Sequence, residues 1–154
     1  MILEAKAMSD PLTFTHDKFT FAVATDRFYS TAGIWAKAEG DRVTVGVSDF
    51  FQQRNGDVAF AEVVEVGTAV AAGDEFANIE TIKLDIDLPS PLSGTILAVN
   101  EALYLEAELI NHDPYGAGWL AQFAASDWAA TVKTLMTPEQ YYEHTKAEAQ
   151  AEGS

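Results

Sequence analysis

The chain has 154 residues, 48% of them hydrophobic and 21% charged, which is the profile of one globular domain with a sizeable core. Its 24 acidic and 9 basic residues give a formal net charge of -15. That charge argues against nucleic acid or an anionic membrane as a partner, because both are bound through clustered Lys and Arg. The sequence contains no cysteine, which excludes disulfides, thiolate ligands and a cysteine nucleophile.

The hydropathy of the chain predicts a cytoplasmic protein. No window reaches the roughly 18 apolar residues that a membrane span requires. The N-terminal residues Met1–Ala7 lack the apolar core of a signal peptide. The lack of cysteine also fits a reducing compartment.

Short segments with strand periodicity predict a mainly β protein. Residues 1–18 contain Pro11 and little periodicity, so we interpret them as an N-terminal extension. Strands are predicted over residues 19–24, 29–35, 42–47, 58–66, 82–88, 92–100 and 120–124. The expected buried residues include Val43, Val45, Val58, Phe60, Ile96, Trp119 and Leu120. Turn signals every eight to twelve residues or so favour a small antiparallel sandwich or barrel.

Helices are predicted in the middle of the chain and, mostly, at its C-terminal end. Ser48 is expected to cap a short helix over residues 48–53, since its hydroxyl can accept a hydrogen bond from a free backbone N–H. Ser126 or Asp127 is expected to cap a second helix, which presents Trp128 on its apolar face.

A last helix is expected to begin at Thr137, because Gln140 lies three residues later and completes a capping box. This helix becomes rich in Ala and Glu after Lys146, where it is expected to fray. Residues 19–146 are therefore expected to form the domain, and residues 147–154 a flexible tail.

The register of the hydrophobic pattern slips near Lys83. Apolar and polar residues alternate from Ile82 to Leu88, as in a half-buried strand, but Ile79 lies three positions before Ile82. The two isoleucines cannot share one face of a continuous strand, so a turn or bulge is predicted near residues 81–84. Lys83 would then lie at the exposed tip of a hairpin.

Lys83 is the candidate site for covalent attachment, because it is the only Lys or Arg between Arg54 and Lys133. The acidic residues that flank it are Glu80, Asp85 and Asp87. The alternative is an exposed strand lysine that pairs loosely with Asp85 or Glu80, a contact worth only ~0–1 kcal/mol.

Other sequence patterns that carry chemistry are missing. The chain has no G-x-G-x-x-G, P-loop or G-x-S-x-G motif. His16, His112 and His144 lie too far apart in sequence to form a local pair of zinc ligands. We therefore expect neither a metal site nor a catalytic constellation.

Eight short segments between Tyr29 and Tyr142 lie in the order and at the spacing of a known family. They are Gly46–Asp49, Asn55–Asp57, Glu65–Gly67, Ile79–Lys83, Pro89–Gly94, Val99–Asn100, Glu108–Asn111 and Tyr115–Trp119. Each segment alone is weak evidence for the family. Together, over about three quarters of the chain, they make the sequence resemble the H proteins of the glycine cleavage system.

The resemblance implies a non-catalytic carrier with lipoic acid in amide linkage to Lys83, because the family's lipoylation motif is here Glu80-Thr81-Ile82-Lys83. It implies a lipoyl-domain-like sandwich, or barrel-sandwich hybrid, of two antiparallel sheets with short helices, mostly C-terminal. The implied partners are a lipoate ligase or lipoyl transferase and a lipoamide dehydrogenase. Acylation of the amine would change the net charge from -15 to about -16.

Two departures from the family pattern bear on the system that the carrier serves. Family members usually have His-Glu before the conserved Trp, where this chain has Gly33 and Ile34 before Trp35. They also usually have a His in the short helix, where Phe50 follows Asp49. In the family these polar groups help to hold the aminomethylated arm, so their replacement removes hydrogen-bonding partners for an amine.

These departures lead us to favour a lipoate-binding protein of sulfur oxidation, which would serve a heterodisulfide-reductase-like complex. The alternative is a glycine cleavage H protein that shuttles the aminomethyl group of glycine between glycine decarboxylase and aminomethyltransferase. A third interpretation is a scaffold that has lost the cofactor, which the retained Lys83 disfavours.

Overall fold

The computed structural model of the chain describes residues 10–152. Its strands are β1 Leu12–His16, β2 Phe19–Val23, β3 Phe28–Tyr29, β4 Ile34–Glu39, β5 Arg42–Val47, β6 Val58–Val63, β7 Ala69–Val70, β8 Glu75–Thr81, β9 Asp85–Pro89, β10 Gly94–Val99 and β11 Ala121–Ala125. The helices are α1 Asp49–Asn55, α2 Leu109–His112, α3 Trp128–Thr131 and α4 Pro138–Glu152, with 3₁₀ turns at Glu101–Tyr104 and Val132–Thr134. Within this described part, no helix is both long and apolar enough to cross a membrane.

The strands form two main antiparallel sheets, which confirms the predicted sandwich. One sheet has six strands in the order β3-β4-β5-β11-β10-β7, and the other has three in the order β6-β8-β9. Their inner faces share one core, in which Phe76 of β8 meets Phe123 of β11 with ring centroids 5.8 Å apart. Strands β1 and β2 form a separate two-stranded hairpin.

The predicted core positions are confirmed except at two places. Val43, Val45, Val58, Ile96 and Leu120 are buried. Trp119 is only half-buried, and the side chain of Phe60 is 68% exposed, so its predicted burial was wrong. A bulge between Val58 and Phe60 breaks the alternation of β6 against β8, and it turns the ring outward.

The strand predicted over residues 29–35 is divided by a turn. Strand β3 ends at Tyr29, and β4 begins at Ile34. Gly33 has a φ of 86°, a left-handed conformation that glycine adopts at low cost, and its N–H donates to the carbonyl of Ser30 at 3.1 Å. The turn sets Ile34 at the start of a strand that pairs with β5.

Part of the predicted N-terminal extension is integrated into the fold. Residues 1–9 of the segment 1–18 lie outside the described residues, whereas Leu12–His16 pairs along its whole length with β2. Phe14 is buried in an aromatic cluster with Phe21 and Phe50. The expectation of a loose extension is therefore wrong for β1, because Phe14 is buried against Phe50 and Ala149, which belong to helices remote in sequence.

The helix caps were predicted from local sequence, and the structure agrees with them. The Ser48 hydroxyl accepts from the N–H of Phe51 at 3.1 Å. The Asp127 carboxylate accepts from Ala130 at 3.1 Å, which makes Asp127 the cap of α3. At the start of α4, the Thr137 N–H donates to the Gln140 side chain at 2.9 Å, and the Gln140 N–H donates to the Thr137 hydroxyl at 3.2 Å.

The flexible tail predicted over residues 147–154 is wrong up to Glu152, because α4 continues to that residue. Ala149 is buried in the aromatic cluster of β1 and β2. Arg54 of α1 also forms ion pairs with Glu148, at 2.8 Å, and with Glu152. These contacts hold the last turns of the helix, although the local composition predicted fraying.

Replacing Phe14 by Ala is expected to lower the free energy of unfolding by about 3 kcal/mol, because it removes a buried ring and leaves a cavity. Urea unfolding followed by circular dichroism would measure this change. The matched control is Phe60→Ala, which trims an exposed ring and should change stability by less than about 0.5 kcal/mol. Equal unfolding midpoints for the two variants would show that β1 is not packed on the domain.

Candidate functional site

Lys83 lies at the exposed tip of the hairpin formed by β8 and β9, in a loop of residues 82–84. The N–H of Thr81 donates to the carbonyl of Leu84 at 2.8 Å, which closes the loop. The Thr81 hydroxyl accepts from the N–H groups of Lys83 at 3.2 Å and of Leu84 at 3.0 Å. The turn predicted near residues 81–84 is therefore present, and a threonine side chain organises it.

The strand predicted over residues 82–88 begins only at Asp85, because the turn occupies the first three positions. Ile82 is 75% exposed and Leu84 is 50% exposed, so both apolar neighbours of Lys83 face solvent. The lysine therefore stands between two exposed aliphatic side chains rather than on a half-buried strand.

Two of the three carboxylates that flank Lys83 are bound by another side chain. Asn78 of β8 donates its side-chain amide to Asp85 at 2.6 Å and to Asp87 at 2.8 Å. In the part of the chain that the structure describes, the Lys83 amine makes no ion pair. This arrangement does not match the alternative of a surface lysine paired with a flanking carboxylate.

The stem of Lys83 passes over the end of α1. A Cβ built on Gly56 would lie 3.9 Å from the Lys83 Cε, and Gly56 itself has a φ of 88°. The carbonyl of Asp57 accepts from the N–H of Ile82 at 3.3 Å, which ties the loop to the same connection. The loop is thus braced from below, while the amine remains accessible.

Asn111 fixes this connection, although in the sequence analysis it appears only as part of a family segment. Its amide donates to the Gln52 side chain at 3.0 Å and to the Gly56 carbonyl at 3.1 Å. Its oxygen accepts from the N–H of Val58 at 2.8 Å. A half-buried Asn that satisfies three groups of one segment is a positioning residue for the surface beneath Lys83.

A cleft of about 170 Å³ lies beside α1. Its walls include Gly33, Phe50, Arg54, Tyr141 and His144. The Tyr141 hydroxyl is 2.6 Å from the Ser48 hydroxyl, and burial raises the pKa of Tyr141, so it stays neutral. The His144 ring lies 2.9 Å from Glu148, which also binds Arg54.

The two departures from the family pattern have different surroundings. Ile34 is fully buried in the main core and does not line the cleft. Phe50 lines the cleft and also contacts the β1–β2 hairpin, with its ring centroid 5.0 Å from that of Phe21 and 6.5 Å from that of Phe14. The structure therefore brings Phe50, but not Ile34, to the wall of the cleft.

The two antiparallel sheets and the hairpin with Lys83 at its tip define a protein with a lipoyl-domain-like fold. Comparisons with known proteins give its family. The family model of the glycine cleavage H-protein matches residues 27–148. The chain is 42% identical over 119 residues to the glycine cleavage system H protein of Rubrobacter xylanophilus, covering 77% of this chain and 91% of the relative. It is 39% identical over 117 residues to the H protein of Bacillus cytotoxicus, covering 76% and 91%.

A solved structure agrees with these relatives. The crystal structure of a glycine cleavage system H protein from Mycobacterium marinum matches with a TM-score of 0.74 and 32% identity, over 80% of this chain and 99% of that one. The chain belongs to the glycine cleavage H-protein family. All of these proteins carry the glycine cleavage name, so they favour the alternative over the sulfur-oxidation carrier that the sequence analysis preferred.

Replacing Thr81 by Ala is expected to loosen the hairpin tip, because the hydroxyl that accepts from two loop N–H groups is lost. Hydrogen exchange at the amides of Lys83 and Leu84 should speed up several-fold, while exchange in the interior of β8 stays slow. Thr81→Ser keeps the hydroxyl and should exchange as the unchanged chain does. Equal exchange in the Ala and Ser variants would contradict the assigned role.

Proposed function

We propose that this chain is a non-catalytic lipoyl carrier of the glycine cleavage type, with lipoate attached to Lys83. The observation that carries the proposal is the accessible Lys83 amine at a braced hairpin tip, within the segment Glu80–Lys83 that resembles the family's lipoylation motif. The family match supports the carrier class, and the geometry of the hairpin supports the residue.

The residues present fit a covalently attached acyl group. The deprotonated Lys83 Nζ attacks the carbonyl carbon of an activated acyl donor and the amide C–N bond forms. The bond from that carbon to the leaving group breaks, the leaving group takes its electron pair, and the nitrogen loses one proton to solvent. Thr81 holds the loop from within, and Gly56 gives the lysine stem room to lie against α1. When bound, the dithiolane of lipoate supplies the redox and group-carrying chemistry, and the protein supplies presentation.

The partners follow from the family and are part of the proposal. A lipoate ligase or lipoyl transferase would attach the arm to Lys83. Glycine decarboxylase, aminomethyltransferase and lipoamide dehydrogenase would then act on it in turn. A cytoplasmic location remains a prediction from the sequence.

A second candidate, a lipoate-binding protein serving a heterodisulfide-reductase-like complex, is favoured by one structural observation. Ile34 and Phe50 stand where the family usually has Glu and His, and both side chains are buried. Neither can offer a charge or a hydrogen bond to an amine. A carrier of sulfur adducts would not need such groups.

Lys83 is expected to be the residue acylated when protein from its native host is analysed by peptide mass spectrometry. Lys83→Arg should remove the label and leave the fold intact, because the substitution lies at a turn tip away from packing and costs less than about 0.5 kcal/mol. Lys133→Arg, at another exposed lysine, is the control and should keep the label. Lipoate on a different lysine would refute the assignment.

Lipoylated protein is expected to support release of carbon dioxide from labelled glycine by purified glycine decarboxylase, because the family match is to glycine cleavage proteins. The Lys83→Arg variant sets the background of this assay. Release at the background level by fully lipoylated protein would reject the glycine cleavage function and favour the sulfur-oxidation carrier. Loading must first be verified by intact mass.

A further inference from the structure

We propose that the enzyme that acylates Lys83 docks in a second cleft, between the outer face of β6 and β8 and the 3₁₀ turn Glu101–Tyr104. We call it the β6–β8 cleft, and its lining includes Phe60, Glu62, Glu80, Leu103 and Tyr104. The proposal rests on the assignment of Lys83 as the acylated residue. It goes further by naming the surface that the acylating enzyme recognises.

The β6–β8 cleft combines exposed aromatic rings with acidic side chains. It has a volume of about 410 Å³, with Phe60 68% exposed and Tyr104 56% exposed at its walls. Leu103 is buried in the core and closes the floor. Leu105, directly after the turn and outside the cleft lining, is 90% exposed. Two exposed aromatic rings around one concavity are typical of a surface that a partner covers.

The exposure of Phe60 is built into the backbone. The bulge between Val58 and Phe60 shifts the register, so that Phe60 lies opposite Glu80 while Ala61 points into the core. A bulge that re-aims one large side chain towards solvent commonly serves a binding site. The ring therefore faces outward because of the bulge in β6.

The position of the cleft indicates which of the proposed partners binds there, namely the acylating enzyme. Glu80, opposite Phe60, lies three residues before Lys83, and the exposed Ile82 and Leu84 extend apolar surface to the lysine itself. Before acylation, the reacting atom is the Nζ at the end of the Lys83 side chain, close to the hairpin. The active site of the acylating enzyme must reach that atom, so the surface of the enzyme covers the neighbouring strands. Enzymes that act later can engage the far end of the extended arm.

Charge indicates the chemistry of the docking partner. Glu62 and Glu80 line the cleft, and Asp85 and Asp87 are exposed on the neighbouring strand. Between Arg54 and Lys133 the sequence has one Lys or Arg, which is Lys83 itself. The partner surface that fits is an apolar side chain surrounded by Lys and Arg, since opposite potentials accelerate and orient the encounter.

The test uses the full-length unmodified protein, a purified lipoate ligase, lipoate and ATP, with acylation followed by intact mass. The ligase joins the lipoate carboxylate to ATP as an acyl adenylate and releases pyrophosphate. The Lys83 amine then displaces AMP and loses a proton, and the amide is the product. Phe60→Ser and Tyr104→Ser should each lower kcat/KM at least tenfold through a higher KM, with kcat little changed. Phe19→Ser, at a ring that is 57% exposed on β2, is the matched control and should be acylated normally.

A charge variant tests the acidic rim separately. Glu62→Gln should lower kcat/KM several-fold at low salt and flatten its dependence on ionic strength, because one charge of the cleft is removed. Glu143→Gln, at an exposed glutamate of α4, should leave both quantities unchanged.

Acylation of the Phe60 and Tyr104 variants at the rate of the unchanged chain would overturn the docking site, even though Lys83 is still acylated. Normal acylation with impaired use of the loaded protein by glycine decarboxylase would assign the cleft to that enzyme instead, and it would also overturn the proposal. Failure of the unchanged chain to accept lipoate at Lys83 would instead refute the proposed function. The two failures are therefore distinguishable.

Discussion

The closed loop between β8 and β9 is the constraint on which the candidate site depends. The backbone bond from Thr81 to Leu84, with the Thr81 hydroxyl inside the turn, fixes three residues and leaves Lys83 outward. Strand β8 lies between β6 and β9, and it buries Phe76 and Ile79 in the main core. A mobile side chain is thus carried by a hairpin that is anchored in the sandwich, so the acceptor amine is presented in one place.

Local patterns predicted the elements whose stability is local. The alternation of β5 and the caps at Ser48 and Thr137 depend on residues within a few positions of each other, and the structure agrees with them. The hairpin tip could also be predicted, because the change in hydrophobic register before Ile82 lies within one short segment. The family segments added the residue chemistry that this periodicity could not supply.

Features that depend on distant partners could not be predicted in the same way. Phe60 follows strand periodicity, but a bulge against β8 turns it outward. Strand β1 has little periodicity in its sequence. It is held by the burial of Phe14 against α1 and α4, which are remote in sequence. The bracing of the Lys83 stem depends on Asn111, whose three hydrogen bonds bring together segments more than fifty residues apart. Single-sequence periodicity contains no information about such contacts.

The packing of Phe50 changes what the family departures imply. The β1–β2 hairpin lies before residues 27–148, which match the family model, and it covers the face of α1 that carries Phe50. An apolar residue at position 50 is therefore explained by the aromatic cluster, in which the Phe50 ring packs against Phe14 and Phe21. Ile34 is likewise explained by its place in the main core. Packing therefore accounts for Ile34 and Phe50 without a different adduct on the lipoyl arm. This favours the glycine cleavage carrier over the sulfur-oxidation carrier.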